Sequence, residues 1–207
     1  MKNYTNNSFS HMQALIGGHV SLKYPQKLYL DITQDCNMNC IMCRDKITAS
    51  GKTMNLDLFK KIVDETASYV SSYSLFNWGE PLILKDFRER VEYLGSKKRK
   101  DATIDNEGMF NDLYPTKIGD YVWDGNDYCH VSNYFIDRNC NAPFVSASIG
   151  YNGDIYLCCN VGDLVDNVNE KSFFEIWSGE RYDTLRKDVN NVNLMPDRCK
   201  NCAWFNR

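Results

Sequence analysis

The sequence predicts a parallel α/β fold, because segments with strand and helix character alternate along its first half. Residues 27–32 alternate apolar and polar side chains, as a half-buried strand does, and residues 73–78 predict a second strand. Apolar residues recur at helical spacing over residues 56–71, where Asn55 is the expected N-cap, and residues 85–94 predict a second helix. This order is typical of a parallel sheet whose chemistry lies at the carboxyl ends of its strands.

The second half of the chain departs from this alternation. Residues 95–139 are rich in Asp, Asn, Tyr and Gly and show no strand–helix order. Residues 144–149 and 154–159 predict a hairpin around residues 151–153, since the Asn-Gly pair there is a strong turn signal. The remaining expected elements are short helices, at residues 173–177 and 182–189.

Composition excludes several classes of function. The chain has 207 residues, of which 43% are apolar and 25% charged, as in an ordinary globular protein of one domain or one domain with a small appendage. Its net charge of −3 gives no reason to expect nucleic acid or an anionic membrane as partner. The basic run at residues 97–100 is interpreted as a solvated helix end, with a docking patch as the alternative.

No apolar run approaches the roughly 18 residues that a membrane span needs, and the polar N-terminus lacks the apolar centre of a signal peptide. We therefore expect a cytoplasmic protein. Cytosolic thiols are kept reduced, so the nine cysteines predict metal binding or catalysis rather than a disulfide framework, which an odd count also fits poorly.

The first cysteine group is Cys36, Cys40 and Cys43, a CxxxCxxC pattern directly after the first predicted strand. Three thiolates on one tight loop can ligate three irons of a 4Fe–4S cluster, and the fourth iron then stays open to a small molecule. The alternative is zinc, but none of the three histidines lies at zinc-finger spacing.

Together with Trp78, Gly79 and Glu80 at the end of the second strand, this cysteine pattern resembles the radical S-adenosylmethionine (radical SAM) superfamily. The resemblance implies that the open iron binds S-adenosylmethionine, and that one electron from the cluster cleaves it to methionine and a 5′-deoxyadenosyl radical. Residues 78–80 match the Gly-Gly-Glu motif that supports the amino group of the cofactor. Trp78 stands where the family has its first glycine, and Met42 stands where the family often has an aromatic residue.

The second cysteine group is Cys140, Cys158, Cys199 and Cys202. Two distant cysteines that flank a hairpin, followed by a CxxC pair, can complete a four-thiolate cage. The pattern is similar to the C-terminal extension called SPASM, or to its shorter form, twitch, and implies one auxiliary 4Fe–4S cluster. Structural zinc is the alternative for these four residues.

Two cysteines stay outside both groups. Cys159 follows Cys158 and is interpreted as a small buried apolar residue, because neighbours on a strand point to opposite faces. Cys129 has no partner at a telling spacing, and a role near the substrate is the alternative to a structural one.

The resemblance implies a partial parallel β/α barrel with a small cysteine-rich auxiliary-cluster domain. We expect a lead-in at residues 1–26, the radical SAM core at 27–139 and the SPASM-like domain at 140–207. A full barrel takes about 250 residues, so the core is too short for one. Either the barrel is naturally compressed, or a central segment is absent from the sequence, and the competence of the chain as an enzyme depends on which is true.

The expected function is that of an anaerobic radical SAM oxidoreductase or maturase with a reductant such as flavodoxin or ferredoxin. The spacing of the last four cysteines is most similar to dehydrogenases of aminocyclitol precursors, so we expect a small, sugar-like substrate. A peptide-modifying maturase is the first alternative. A non-catalytic iron–sulfur protein, an electron carrier or binding protein derived from this family, is the second. The sequence identifies no catalytic base.

Overall fold

The computed structural model describes residues 12–16, 19–38, 51–97, 103–104, 121–123, 128–130, 140, 142–159, 163–191 and 193–200. The strands in these ranges are β1 (Met12–Ile16), β2 (His19–Leu22), β3 (Lys27–Leu30), β4 (Ser72–Ser74), β5 (Thr103–Ile104), β6 (Tyr121–Trp123), β7 (Tyr128–His130), β8 (Ser146–Ile149), β9 (Asp154–Tyr156) and β10 (Leu164–Asn167). The helices are α1 (Leu56–Thr66), α2 (Phe87–Lys97), α3 (Ala142–Val145), α4 (Phe173–Trp177), α5 (Glu180–Asp188) and α6 (Asp197–Lys200).

A six-stranded mixed sheet in the order β10-β9-β8-β3-β4-β5 organises the chain. Strands β8, β3, β4 and β5 run parallel to one another, and β9 and β10 are antiparallel to their neighbours. The predicted strand–helix–strand order of the first half is confirmed, because β3 and β4 pair in parallel and α1 connects them. The Asn55 side chain accepts a hydrogen bond from the Asp57 N–H, at 2.7 Å, and so caps α1 as expected.

The cysteine-rich second half contributes to the same sheet. Strand β8 lies beside β3, and Lys27 to Leu30 pair with Ser146 to Ile149. The predicted hairpin is confirmed, since β8 and β9 pair antiparallel and the Gly153 N–H donates to Gly150 O at 2.9 Å. Gly153 adopts a φ of 89°, in the left-handed region that glycine reaches without strain.

One apolar core lies on the helix-covered face of this sheet. Its buried members from the strands are Leu28, Leu30, Tyr73, Ala147, Ile149 and Ile155. Its helical members include Phe59 and Ile62 of α1, and Phe173 and Trp177 of α4. The core therefore holds residues of both predicted domains, and the boundary between residues 139 and 140 stays a prediction.

Polar contacts also join the two halves. The Glu65 side chain accepts the Phe173 N–H at 2.8 Å, so α1 caps the beginning of α4. The Trp177 indole N–H donates to Leu22 O at 2.9 Å, across the buried core. A buried donor is costly unless it is paired, so these contacts fix α4 against the strands that precede it.

The opposite face of the sheet is polar. Side chains alternate along strands, so the neighbours of the core residues point away from the core. In register on this second face lie Tyr29 of β3, Ser74 of β4, Ser148 of β8 and Tyr156 of β9. Ser74 and Ser148 are nevertheless buried. We call these four residues the hydroxyl face.

The region that the sequence leaves without strand–helix order is described only in part. Within residues 95–139 the described elements are the end of α2, β5, and the antiparallel pair β6 and β7. Closure of the sheet into a partial barrel is not seen among the described strands and stays a prediction. None of the described helices has the length and apolarity to cross a membrane.

Candidate functional site

The loop that carries the first cysteine group leaves the carboxyl end of β3 and is closed at its base by a short ladder. The Met54 N–H donates to Ile32 O at 2.9 Å, and the Gln34 N–H donates to Lys52 O at 2.8 Å. Residues 36–50 are thus held between two backbone segments that pair with each other. A ladder of this kind fixes the position at which the cysteine loop begins and ends.

A side-chain contact tightens the same base. Asp35 accepts the Gly51 N–H at 2.7 Å, directly before Cys36 in the chain. Gly51 has a φ of 66°, which places the returning chain in a conformation that glycine adopts at little cost.

The loop after β4 lies against this base from the other side. The Glu80 N–H donates to Asp35 O at 2.9 Å. A Cβ on Gly79 would lie 2.1 Å from Thr33 O and 2.8 Å from Asp35 O, so no side chain fits there without a backbone shift. The structure therefore brings the predicted Gly-Glu motif into direct contact with the residues that lead into the cysteine loop.

Glu80 also has a local structural role. Its Oε1 accepts the Leu82 N–H at 3.0 Å and caps the 3₁₀ turn Pro81–Ile83. This contact orients the carboxylate toward the Leu82 N–H. The predicted cofactor role of Glu80 stays a prediction.

Asp31 is a residue of this site that the sequence interpretation missed. It follows β3, its side chain is only 2% exposed, and its Oδ1 accepts the Trp78 N–H at 3.1 Å. Its Oδ2 accepts the Gln34 side-chain amide at 3.1 Å. Burial raises the pKa of this carboxyl to about 6, against the hydrogen bonds from Trp78, Gln34 and the Asn77 backbone, which lower it. An acidic residue at the end of an apolar strand, just before a cysteine loop, is the signal that could have identified it.

The thiol of Cys36 is half-buried and free. The Met38 N–H lies 3.4 Å from its Sγ, and the Met38 carbonyl oxygen lies 3.8 Å from the same sulfur. Cys40 and Cys43 lie outside the described residues. The three-cysteine site is therefore described at its first ligand and at its base.

Cys140, Cys158 and Cys199 of the second group are half-buried. Cys140 precedes β8, and Cys158 follows β9, whose Tyr156 pairs with Ser148. Both therefore lie toward the amino end of β8. This edge of the sheet is opposite to the one where the loop of Cys36 leaves β3, because β3 and β8 are parallel.

Across the described ranges, no group of three or more His, Cys, Asp or Glu side chains is arranged to hold a metal ion. Cys202 lies outside those ranges, so the second ligand set is incomplete in the description and stays a prediction. Cys159, interpreted as a small buried apolar residue, is half-buried in the turn after β9. The side chain of Cys129 also falls outside the description.

A buried arginine, which the sequence interpretation did not single out, ties α5 to the segment after Cys140. The Arg186 guanidinium lies 4.1 Å from the ring centroids of both Trp177 and Tyr182. Its Nε donates to Pro143 O at 2.8 Å and its Nη1 to Trp177 O at 2.8 Å. Its Nη2 is buried and finds no hydrogen-bond partner among the described residues. One turn later, the Asn190 side chain accepts the N–H of Cys140 at 2.6 Å and donates to its carbonyl at 3.1 Å.

Comparison with known proteins found one matching family model and several similar curated proteins. Residues 140–203 match the SPASM family, an iron–sulfur cluster-binding domain. The chain is 29% identical over 93 residues to the probable GTP 3′,8-cyclase of Methanococcus maripaludis, which covers 44% of this chain and 31% of that protein. It is 32% identical over 71 residues to the AdoMet-dependent heme synthase of Methanosarcina barkeri, which covers 33% of this chain and 20% of that protein. The matched part thus spans less than a third of either relative.

Two solved structures share the fold. A crystal structure of BtrN in an open conformation superposes with a TM-score of 0.60 at 20% identity, over 86% of this chain and 92% of that chain. BtrN in complex with AdoMet and 2-DOIA superposes with a TM-score of 0.51 at 16% identity, over 80% of this chain and 87% of that one. At these identities the likeness is one of fold.

Proposed function

We propose that this chain, which belongs to the radical SAM superfamily and carries a C-terminal SPASM domain, binds S-adenosylmethionine at the end of β3 and β4 and uses it to abstract hydrogen from a small molecule. The substrate that we propose is a polar, sugar-like or aminocyclitol-like compound. The barrel-like core at residues 27–139 and the auxiliary-cluster region at residues 140–207 are parts of the same proposal.

The observation that carries the proposal is the contact between the two motifs. Gly79 packs on the backbone of Thr33 and Asp35, which leads directly into Cys36. The Glu80 N–H is bonded to the same segment. A cluster bound by the loop and a cofactor supported by residues 78–80 would therefore be neighbours, as chelation of the open iron by the cofactor requires.

The residues at this site fit an iron–sulfur cluster with an open position. Cys36 offers a sulfur that lies near a backbone N–H, and the absence of a side chain at Gly79 lets residues 78–80 lie directly against the backbone that leads into the cysteine loop. Cys36, Cys40 and Cys43 would hold three of the four irons. When bound and reduced, the cluster supplies the electron that cleaves S-adenosylmethionine to methionine and the 5′-deoxyadenosyl radical, which takes a hydrogen atom from the substrate.

The protein residues would then position the cofactor and the substrate and keep water away from them. The backbone of residues 78–80, which Asp31 and Asp35 hold in place, would support the amino group of the cofactor. Glu80, oriented by its bond to the Leu82 N–H, would place a negative charge beside that group. Charge-assisted contacts of this kind are worth about 1.5–3 kcal/mol.

The hydroxyl face supports a small polar substrate. Tyr29, Ser74, Ser148 and Tyr156 carry hydroxyl groups on the side of the sheet opposite the apolar core, where the two tyrosines are half-buried and the two serines are buried. Asn77 extends this surface at the end of β4, where its side-chain amide donates to the Ser148 hydroxyl at 3.4 Å. Hydroxyl and amide groups pair well with the hydroxyl and amino groups of a sugar-like molecule. A complex of BtrN with AdoMet and 2-DOIA shows that this fold accepts a cofactor and a second small molecule together.

The auxiliary cluster would be held by Cys140, Cys158, Cys199 and Cys202, all within the matched SPASM region. It would serve as the acceptor of the electron that a substrate radical loses on oxidation. A flavodoxin or ferredoxin is the reductant that we propose for the first cluster.

The test is anaerobic reconstitution followed by reduction with dithionite in the presence of S-adenosylmethionine. We expect two clusters of about four irons each, and equal amounts of methionine and 5′-deoxyadenosine by mass spectrometry. Replacement of Cys36, Cys40 and Cys43 with Ala should remove one cluster and all 5′-deoxyadenosine. Cys159→Ala, in neither ligand set, is the matched control and should retain both.

Cluster-loaded, reduced protein that forms no 5′-deoxyadenosine would contradict the proposal and favour the electron-carrier alternative. Full iron content in the triple variant would show that the first site is not formed by these residues.

A further inference from the structure

Asp31 is a buried carboxyl group in an unusual electrostatic setting. Its side chain is only 2% exposed, and the groups that bond it are the Trp78 N–H, the Asn77 N–H and the Gln34 amide. Among the described residues, no Lys or Arg acts on this carboxyl. Buried carboxylates are normally paired with a cation, because removing an unpaired charge from water is costly.

The side chains named near Asp31 are neutral or negatively charged, and none of them is positively charged. Tyr156 of β9 lies near enough for the Asp31 charge to contribute to the raised pKa of its hydroxyl, and Asp154 contributes to the same shift. Glu80 lies in the loop after β4, next to the residues that bond Asp31. Asp31 and Asp154 thus act on the same hydroxyl group, and no cation is among the groups that act on Asp31 in the described part of the chain.

Hydrogen bonding accounts for only part of the choice of Asp at this position. An Asn at position 31 would offer a single oxygen, Oδ1, to the Trp78 and Asn77 N–H groups, and the Gln34 amide could rotate to accept from its Nδ2. Such an Asn would also avoid the desolvation of a charge. The charge of Asp31 is therefore costly in the free protein, and a bound cation would offset that cost.

We propose that Asp31 is a positioning residue whose carboxylate, acting through the Asn77 and Trp78 backbone, is the electrostatic complement of a positively charged cofactor at residues 78–80. The inference rests on the proposed function, since S-adenosylmethionine carries an ammonium and a sulfonium group. Asp31 holds the loop after β4 in position by accepting the Trp78 N–H. It thereby places a negative charge next to residues 78–80, which would support the cofactor. Binding of the cationic cofactor supplies the cation that the described residues do not.

The charge and the shape of Asp31 can be separated by substitution. Asp31→Asn keeps the size and removes the charge, and Asp31→Ala removes both. One unit charge that acts over roughly 10 Å at an effective dielectric constant of about 20 changes affinity about tenfold or more. We therefore expect S-adenosylmethionine to bind Asp31→Asn about tenfold more weakly, and Asp31→Ala more weakly still.

The matched control is Asp86→Asn. Asp86 accepts two hydrogen bonds from the buried Arg90 on α2 and lies outside residues 78–80. This variant loses the same charge and should lower the unfolding temperature without a change in cofactor affinity. Asp31→Asn should show the opposite pattern, with weaker cofactor binding and an unfolding temperature equal to or above that of the wild type, because a costly buried charge is gone.

The experiment measures cluster content, unfolding temperature and cofactor affinity on anaerobically reconstituted full chains. Affinity is followed by the change that S-adenosylmethionine produces in the electron paramagnetic resonance spectrum of the reduced first cluster. The wild type should also bind more weakly as the pH falls from about 8 to about 5.5, where Asp31 gains a proton, and Asp31→Asn should lose this part of the dependence. The groups that face Asp31 and could add to the profile are Tyr156, Asp154 and Glu80.

Equal affinity in the wild type and Asp31→Asn would overturn the inference, with the proposed function intact. Loss of cluster and of folding stability together in Asp31→Asn would overturn it too, because the residue would then be structural. A cluster-loaded wild type that does not bind S-adenosylmethionine at all would instead refute the proposed function, and the inference would fail with it.

Discussion

Gly79→Ala is the sharpest single perturbation of the candidate site, because the position has no room for a methyl group. The added Cβ would lie 2.1 Å from Thr33 O, 2.7 Å from Thr33 C and 2.8 Å from Asp35 O, and all three are backbone atoms. A flexible side chain could move aside, but these atoms belong to the base of the cysteine loop. The loop after β4 must therefore move away by about 1 Å or more to restore an ordinary carbon–oxygen contact of roughly 3.3 Å.

The cost follows from what that movement breaks. The Glu80 N–H bond to Asp35 O, at 2.9 Å, would be lost or strained, which costs about 0.5–1.5 kcal/mol. Forcing extra volume into a packed site typically costs about 1–3 kcal/mol more. We expect Gly79→Ala to lower the free energy of unfolding by about 2–4 kcal/mol in total, and to weaken S-adenosylmethionine binding strongly, since residues 78–80 no longer lie against the loop.

Gly95→Ala is the matched control for this substitution. Gly95 lies in α2, and a Cβ there meets nothing within 4 Å. Replacing a helical Gly with Ala should raise stability by about 0.5–1 kcal/mol and leave cofactor binding unchanged. Both variants are measured by anaerobic chemical denaturation and by cofactor titration. A Gly79→Ala protein with wild-type stability and affinity would refute the reasoning, because the two motifs could not then be in contact.

Three further predictions follow from other parts of the structure. Arg186→Met should lower the free energy of unfolding by about 2–4 kcal/mol, because two buried carbonyl groups lose their hydrogen-bond donor. The control, Arg88→Met, removes an exposed ion pair and should change the free energy of unfolding by less than about 0.5 kcal/mol. Burial raises the pKa of Asp31 from 3.8 to about 6, so the folded state binds the proton more tightly than the unfolded state. The free energy of unfolding should therefore fall by about 2 kcal/mol as the pH rises from about 4 to about 6, a loss that Asp31→Asn would not show in denaturation curves. Cys199→Ala should remove the auxiliary cluster and expose only the segment after α5 to limited proteolysis, because α4 and α5 belong to the shared core. Cys159→Ala is the control and should behave as the wild type. Cleavage within α4 would contradict the shared core.

Local signals in the sequence were sufficient for the elements around the cysteine loop and for the hairpin, but not for β1, β2, β5, β6, β7 and β10, which no predicted strand covers. The strand at β3 and the helix α1 follow from hydrophobic periodicity, and the N-cap Asn55 follows from its position before the first apolar residue. The hairpin between β8 and β9 follows from an Asn-Gly pair. Each of these features is decided by residues within a few positions of one another, so the pattern contains the information.

The pairing of β8 with β3 could not be predicted in this way. The two strands are more than a hundred residues apart in sequence, and the segment between them has no strand–helix order to indicate which neighbour β8 takes. Because β8 adds to the sheet beside β3, the segment after residue 140 packs apolar residues with those of the first half, a contact that no local pattern indicates.

The motifs of the site could be predicted from the sequence, but the residues that hold those motifs in place could not. Cys36, Gly79 and Glu80 are recognisable from spacing, and the structure brings them to one loop base. Asp31 and Arg186 are ordinary charged residues in the sequence, and only their burial reveals what they do. Burial depends on which segments meet in the fold, and this information is not local.

The sheet also sets how the two proposed clusters would be arranged. The loop of Cys36 leaves the carboxyl end of β3, while Cys140 and Cys158 lie toward the amino end of the parallel neighbour β8. A strand of four residues spans about 13 Å, so Cys36 and Cys158 lie toward opposite ends of these parallel strands. The hydroxyl face extends between these ends. A substrate bound there would meet the radical at one end and an electron acceptor at the other, and each would be held in position by the same core.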